Sequence, residues 1–447
     1  MSLFQRIKLV IIAVVCKRFY IEKSMKELNI FLNDQKAKKN TKTYVPIDND
    51  ISKIIKRHKT YMKRNFGSKE IPEDIPFLYW IPKMHKKPYS KQRYIAASHR
   101  CSTKPLSAIL TKCLKLIEKQ HRFTCKRYYE SNGINPMWII NNSTLVQAQI
   151  ATLNRRKRCK HIRTYDFSTL YTSIPHTQLK KQLAWVITEA FKTSGKPFIS
   201  IYAKVAKWTT TPKKSTNNMD CKKVIRVMNW LIDNIYVKFG DNVFRQVIGI
   251  PMGTDCAPFL ANLFLYAYEF QWIDKQRTLK NHRLLKTFKC CSRYIDDLLM
   301  VNNFDEMKKV MTDIYPKELI LVPDEGDGLS APFLDLQLII NDSVISTSIY
   351  DKRDAFDFPI VNFPNLSGNI PIKSAYGIFI GELVRYARAC TYLKDFTART
   401  TLLVNKLTSQ GYKTKKLKQT YSTFCDSHFA LIQKYGSLVL DMKNRWV

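Results

Sequence analysis

Two adjacent carboxylates, Asp296 and Asp297, stand between two apolar runs in FKCCSRYIDDLLMV, residues 288–301. Phe288 to Ile295 reads as one β-strand and Leu298 to Val301 as the next. The acidic pair then falls in a tight hairpin turn, where Asp is favoured. Both strands are apolar enough to be buried, which gives the turn a rigid base. Two like charges side by side repel, and one or both carboxyls rise in pKa unless a cation intervenes. A divalent metal that prefers oxygen ligands relieves that cost. The plain alternative is an ordinary Asp-Asp turn on a surface hairpin, so the rest of the chain has to decide.

With 447 residues the chain is long enough for a large core and two or three domains. Apolar content of 45% and aromatic content of 12% exclude a disordered chain. Lys and Arg number 74 against 36 Asp and Glu, a net charge of +38. Such a surplus repels itself in a compact state, and a polyanionic partner relieves it. Nucleic acid is the leading candidate. A membrane-surface role needs a basic amphipathic helix or a lipid signal, and neither stands out. The 11 cysteines show no CxxC pair and no Cys/His spacing suited to zinc, which fits buried free thiols in a reducing compartment. Leu9 to Cys16 resembles a short signal core but is too short to span a membrane and lacks a small-residue cleavage site. It reads as a buried element.

Taken in order, residues 1–75 read as helical and basic, an arm for nucleic acid or a solvated extension. Phe77 to Ser107 reads as a basic β-hairpin, with a turn at Lys83 to Lys91 and a second strand at Arg93 to Ala97. Lys83, His85, Lys86 and Arg93 are suited to gripping a triphosphate, Arg in bidentate fashion; Lys87 and Lys91 read as solvated. Helices are expected at Leu106 to Gln120 and from Trp138 to Leu153. In IRTYDFSTLYTSI (residues 162–174), Ile162, Thr164 and Asp166 share one face of a strand. Asp166 is the only charge near its end, and Pro175 opens an amphipathic helix. Thr193 to Asn218 reads as a polar loop. Ile235 to Ile248 reads as a hairpin turning at Gly240-Asp241-Asn242. In GIPMGTDCAPFLANLFLYAYEFQ (residues 249–271), a glycine turn leads into an apolar helix starting near Asp255, with Asp255 or Thr254 as the N-cap. Gly253 lets the backbone approach a ligand closely. After the acidic hairpin come a helix at Phe304 to Tyr315, a strand at Glu318 to Val322 and a hairpin turning at Asn341-Asp342-Ser343. From Asp351 the chain changes to Pro- and Gly-containing loops and then basic helices, the first at Ile372 to Leu393.

An acid near a strand end, then a glycine turn with a buried helix, then an acid pair on a hairpin suits two-metal phosphoryl transfer. Asp166 and Asp296 would bridge both metals, with Asp297 supporting one.

With these motifs in this order, the chain resembles the reverse transcriptases, most closely those of Penelope-like retroelements, relatives of telomerase. The resemblance runs from about Tyr79 to the region of Tyr435. YWIPKMHKKP with RYIAASHRCSTKPLS looks like the fingers motifs, TYDFSTLYTSIPH like the first catalytic motif, and GIPMGTDCAPFLANLFL like the motif that positions template and nucleotide. RYIDDLL looks like the second catalytic motif, FLDLQL like the primer grip, and YDKRDAFDFPIVNFPNLSGNIP like the start of the thumb. The resemblance implies an α+β right-hand polymerase: a basic helical N-terminal extension (1–75), fingers and a split β-α-β palm (76–350), and a helical thumb (351–447). It implies catalytic carboxylates at Asp166, Asp296 and Asp297, with the Phe167 carbonyl as a further ligand to two Mg2+ (or Mn2+) ions. Tyr171 matches the steric gate against a ribose 2′-OH, and Lys83 and Arg93 match triphosphate ligands. Pro251, Met252 and Gly253 match the turn beside the incoming base, where many relatives have Gln in place of Met252. The family's protonating lysine after the YIDD hairpin is not placed by the motifs; Lys317 is one candidate. Implied partners are an RNA template, a DNA primer and dNTPs, without a membrane, and the implied location is the nucleus. Penelope-like proteins often carry a GIY-YIG endonuclease after the thumb; up to Val447 no such motif occurs, nor a recognisable RNase H or integrase. The rival reading is a non-catalytic or degenerate nucleic-acid-binding protein on a polymerase fold.

Overall fold

Strand Ile162–Ser168 is the spine of a four-stranded antiparallel sheet ordered Cys291–Tyr294, Asp297–Val301, Ile162–Ser168, Ile320–Pro323. The computed structural model describes residues 15–28, 30, 43–48, 50–67, 70–83, 91–214, 216–356 and 363–446. Side chains of a strand alternate between faces, and here each face meets its own core. Tyr165, Phe167, Leu298 and Met300 pack with the helices Lys104–Asn132, His176–Ser194 and Ala257–Thr278. Ile162, Leu299 and Val301 pack with Phe333, Leu338, Phe379 and Leu383. A sheet covered on both faces is hard to deform, so its register is strongly specified.

The second core is completed by the strands Ser330–Phe333, Leu336–Asn341 and Val344–Ile349 and by the helices Ile372–Ala389, Leu393–Thr408 and Thr414–Ser427. The last hairpin turns at Asp342-Ser343, with φ of 50° and 63° at the two central residues. That is the backbone a two-residue loop needs to match strand twist.

Several elements differ from the sequence expectation. Residues before 76 are not helical throughout: Tyr44–Ile47 is an edge strand of a five-stranded sheet that continues through Asn242–Gln246, Tyr236–Phe239, Phe77–Pro82 and Gln92–Ala97. The polar stretch from Thr193 to Asn218 contains a small sheet of Phe198–Ile201, Ala206–Thr209 and Asn217–Met219, because Ile199, Ile201 and Met219 reach the main core. The helix expected at Leu106 to Gln120 runs over Lys104–Asn132 and ends at Gly133, in the left-handed conformation. The helix expected from Trp138 starts only at Ser143, where Asn142 caps it by accepting from the Leu145 N–H. Residues 9–14 of the apolar N-terminal run lie outside the described residues, as do His85, Lys86 and Lys87. Among the described residues, no helix is long and apolar enough to cross a membrane.

Two histidines in the main body are buried, His58 against Ser102 and His121 between Val186 O and the Tyr266 hydroxyl. Burial lowers both to about 4 from the usual 6.5. As pH falls below 6.5 the unfolded chain takes up these protons first, so stability is lost between about pH 6.5 and 4 and levels off below. Each histidine contributes up to about 1.4 kcal/mol per pH unit in that window. Denaturant unfolding across that range checks this, and a flat stability between pH 6.5 and 4.5 would count against it.

Candidate active site

Asp166 lies opposite Asp297 in register, with Val322 on its other side. Residues directly opposite in an antiparallel pair project to the same face with Cβ atoms about 5 Å apart. The hairpin that carries the acid pair turns at Ile295-Asp296, and Tyr294 pairs with Asp297. The acidic pair therefore does not fill the turn as the sequence suggested: Asp296 is in it and Asp297 opens the next strand. The first strand is also shorter than Phe288 to Ile295, because the helix His282–Thr287 runs up to Phe288. Ile295 has φ of 57°. A β-branched residue there is an outlier, and such strain gathers at functional sites.

A buried arginine holds this strain. Arg293 is fully buried, and its five N–H groups all find oxygen. Nε donates to Glu269 Oε1 (2.6 Å) and Nη2 to Glu269 Oε2 (3.0 Å) and Asn262 O (3.1 Å). Nη1 donates to Asn262 Oδ1 (2.9 Å) and to the carbonyl of Ile295 itself (2.9 Å). The Tyr315 hydroxyl donates to Glu269 Oε1 (2.9 Å), and its ring meets the buried Phe167 edge-on at 4.9 Å. The Phe167 N–H in turn donates to Asp296 O (3.1 Å). The hairpin is thereby fixed to the helix Ala257–Thr278 on one side and to the strand of Asp166 on the other.

The glycine turn meets the same place. Gly249 has φ of 84°, and a Cβ there would collide with Tyr171 O; the Ile250 N–H donates to that carbonyl (2.6 Å). Gly253 has φ of 119° and lies flat against Ala96 O. The Ala96 N–H donates to Met252 O (2.9 Å), and the Ser98 hydroxyl donates to Gly253 O. Pro251, Met252 and Gly253 are thus clamped between the Tyr171 segment and the strand that carries Arg93. The helix after them starts at Ala257, with Cys256 at its N-cap and no side-chain cap. Of the two expected caps, Asp255 instead accepts from Lys104 Nζ (2.6 Å), and the Thr254 hydroxyl donates to Pro251 O (3.4 Å).

Burial pushes the Asp296 carboxyl above the usual carboxylate range, and Asp166 pushes it further; a hydrogen bond from its own backbone, Arg93 and Lys352 act in the opposite direction. The Tyr171 hydroxyl is held above its usual range by burial first, then by Asp296 and Tyr294. Tyr171 and Arg93 therefore share the surroundings of the acids. Lys83 closes the hairpin beside Arg93: its N–H donates to Lys91 O (2.8 Å), and Ile81 pairs with Arg93. Lys317 is exposed just before the strand Ile320–Pro323.

Three residues of this site were not singled out in the sequence. Lys352 lies on the short turn Lys352–Ala355, which Asp351, through Arg353, and Asp354, through Arg399, fasten in place. Arg293 and Glu269 carried a signal that could have found them: each is a charge set among apolar neighbours, Glu269 being the first charge of the helix Ala257–Thr278, and such charges have to pair when buried.

Among the described residues, no group of three or more His, Cys, Asp or Glu side chains is gathered to hold a metal ion. The donor chemistry nevertheless suits a hard divalent cation. The donors are carboxylates only, and Asp296 is disfavoured in its charged form by burial and by Asp166.

The fold is similar to that of a telomerase from Candida albicans, solved in complex with a TWJ fragment of telomeric RNA. The TM-score is 0.57 at 12% identity, covering 90% of this chain and 70% of that one. Weaker likenesses are to telomerase from Candida tropicalis with a TWJ fragment (TM-score 0.47, 13% identity, 94% and 59% covered) and to the BmCPV RNA-dependent RNA polymerase at elongation state (0.41, 10%, 75% and 26%). No protein-family model matches the chain, and no curated protein matches it. At 12% identity the likeness to the Candida albicans telomerase is one of fold alone, a mixed helix-and-sheet architecture.

Replacing Arg293 by Met leaves the Glu269 carboxylate buried without its partner. Stability should fall by about 3–5 kcal/mol. The double variant R293M/E269L should lose less than R293M alone, since no charge then remains buried. Denaturant unfolding of both variants gives the comparison; equal or greater loss in the double variant would show that the ion pair is not the source of the effect.

Proposed function

We propose that the chain is an RNA-directed DNA polymerase, a reverse transcriptase of the Penelope-like retroelement group. The observation that carries this reading is the register of Asp166 against Asp297 with Asp296 on the adjoining turn. In this reading the four-stranded sheet is the palm, the sheet carrying Phe77–Pro82 and Gln92–Ala97 belongs to the fingers, and the helices after residue 351 form the thumb. Residues 1–75 are then an N-terminal extension whose strand joins the fingers sheet. Arg93 and Lys83 hold the triphosphate of the incoming dNTP. The clamped turn Pro251–Gly253 sets the floor beside its base. The Tyr171 ring excludes a 2′-OH. Asp166, Asp296 and Asp297, with the Phe167 carbonyl, would hold two Mg2+ ions. Bound there, the ions would supply charge stabilisation for the attacking and leaving oxygens. The primer 3′-OH gives up its proton to water, its oxygen forms a bond to the α-phosphorus, the bond from that phosphorus to the α–β bridging oxygen breaks, and pyrophosphate leaves. An RNA template, a DNA primer and a nuclear location belong to the same proposal.

The lack of a ready-gathered metal cluster among the described residues favours one rival, a non-catalytic nucleic-acid-binding protein on the same fold. Primer extension on poly(rA) with oligo(dT), dTTP and Mg2+ or Mn2+ separates the two. Extension by the wild type, abolished in D296N/D297N with nucleic-acid binding retained, is the expected result. No extension by a wild type that still binds would establish the rival. Within the first reading, Tyr171→Ala or Tyr171→Val should raise ribonucleotide incorporation. An unchanged dNTP/rNTP ratio would remove Tyr171 from the gate role.

A further inference from the structure

The central strand has a second end. Asp166 lies near one end of Ile162–Ser168; at the other, Ile162 follows a run of bases, Arg155-Arg156-Lys157-Arg158, then Lys160. From Ile162 to Asp166 the strand covers about 13 Å, so this basic turn stands well apart from the acids. All five of these cations are exposed, and among the described residues none is ion-paired. Exposed Lys289 adds a sixth: it and Arg156 both act on Cys290.

The turn is built rather than loose. Asn302 Nδ2 donates to Arg158 O (2.8 Å), and Asn302 Oδ1 accepts from the N–H groups of Lys160 (2.7 Å) and His161 (3.2 Å). The Arg156 and Lys157 N–H groups return to Leu153 O and Asn154 O, and Lys157 has φ of 44°. Two residues beyond Asn302, Phe304 projects with 54% of its surface exposed, also in a left-handed backbone (φ 46°). Its ring stacks on His161, centroids 5.1 Å apart and 24° between planes. The acid beside it, Asp305, is already engaged by Arg163, which also donates to the carbonyls of Asp324 and Gly326.

We propose that this surface binds single-stranded nucleic acid: the 155–160 turn takes successive backbone phosphates, and the Phe304 ring, backed by His161, stacks an unpaired base. Cations carried on a pinned backbone beside an exposed aromatic suit a sequence-tolerant strand site. A duplex offers phosphates but no open base face, so the aromatic selects the single strand. The inference does not rest on the polymerase reading, since every group in it lies away from Asp166, Asp296 and Asp297.

The test is the affinity of the full chain for a short labelled single-stranded RNA over a series of salt concentrations, followed by fluorescence anisotropy. Removing four phosphate-binding charges in R155Q/R156Q/K157Q/R158Q should reduce the slope of log Kobs against log salt by about 3, at about 0.7 per charge. F304A should bind single strands roughly 5- to 150-fold more weakly at an unchanged slope, the loss of about one stacked base. F304W should restore binding. Duplex RNA should not register F304A. A wild-type slope in the quadruple variant, or wild-type affinity in F304A, would overturn the proposal. So would an equal loss by F304A on duplex and single strand. Thermal unfolding of each variant confirms that the comparison is between folded chains.

Discussion

The site depends on one buried cation. Moving a guanidinium and a carboxylate out of water costs several kcal/mol per ion, and their attraction repays this only when every remaining donor is satisfied. Arg293 meets that condition with both oxygens of Glu269, both polar oxygens of Asn262 and the carbonyl of Ile295. The last of these has the chemical consequence. Ile295 is the residue whose left-handed backbone lets the hairpin reverse between Tyr294 and Asp297, and the arginine holds its carbonyl from below. Glu269 also accepts from Tyr315, whose ring abuts Phe167, the neighbour of Asp166. One ion pair thus fixes the relative placement of two strands, a helix and the turn that carries Asp296. Positions of reacting groups need to be held to about 0.5 Å, and a fully bonded buried network does this better than a purely apolar contact, because it fixes direction as well as distance.

How much of this was legible in the sequence follows from the range of the interaction responsible. The last hairpin was readable at Asn341-Asp342-Ser343 because turn chemistry is local, and the face shared by Ile162, Thr164 and Asp166 was readable because strand periodicity is local. Asn142 has the signature of an N-cap, yet the apolar run through Trp138-Ile139-Ile140 outweighed it. Those residues instead run extended, with Ile139 bridged to Arg293. Tyr44–Ile47 was missed because a four-residue edge strand is specified by its partner, Asn242–Gln246, far along the chain. The Arg293–Glu269 pair spans 24 residues between a strand and a helix. No periodic pattern links them, and only the improbability of a charge among apolar neighbours marked them.

Strain and charge repulsion converge on the acids. Left-handed backbone at Ile295 lies on one side of them, and at Thr169, φ 61°, on the other, just past the end of the Asp166 strand. Asp296 is half-buried next to Asp166 and is relieved by a hydrogen bond from its own backbone and by Arg93 and Lys352, which come from different elements. None of these features helps the chain fold. A sheet covered on both faces and a satisfied buried ion pair are what keep them in place. Fold energy spent on holding two carboxylates together and two non-glycine residues at positive φ is hard to account for by packing alone. It is readily accounted for if a cationic ligand completes the site, because the same repulsion that weakens the free chain then becomes affinity for that ligand. The surplus of positive charge elsewhere points the same way. In the proposed reading, a chain of +38 that brings Asp166, Asp296 and Asp297 together at one end of the central strand, and leaves a basic turn bare at the other, separates the place that would hold cations from a surface that would meet polyanions.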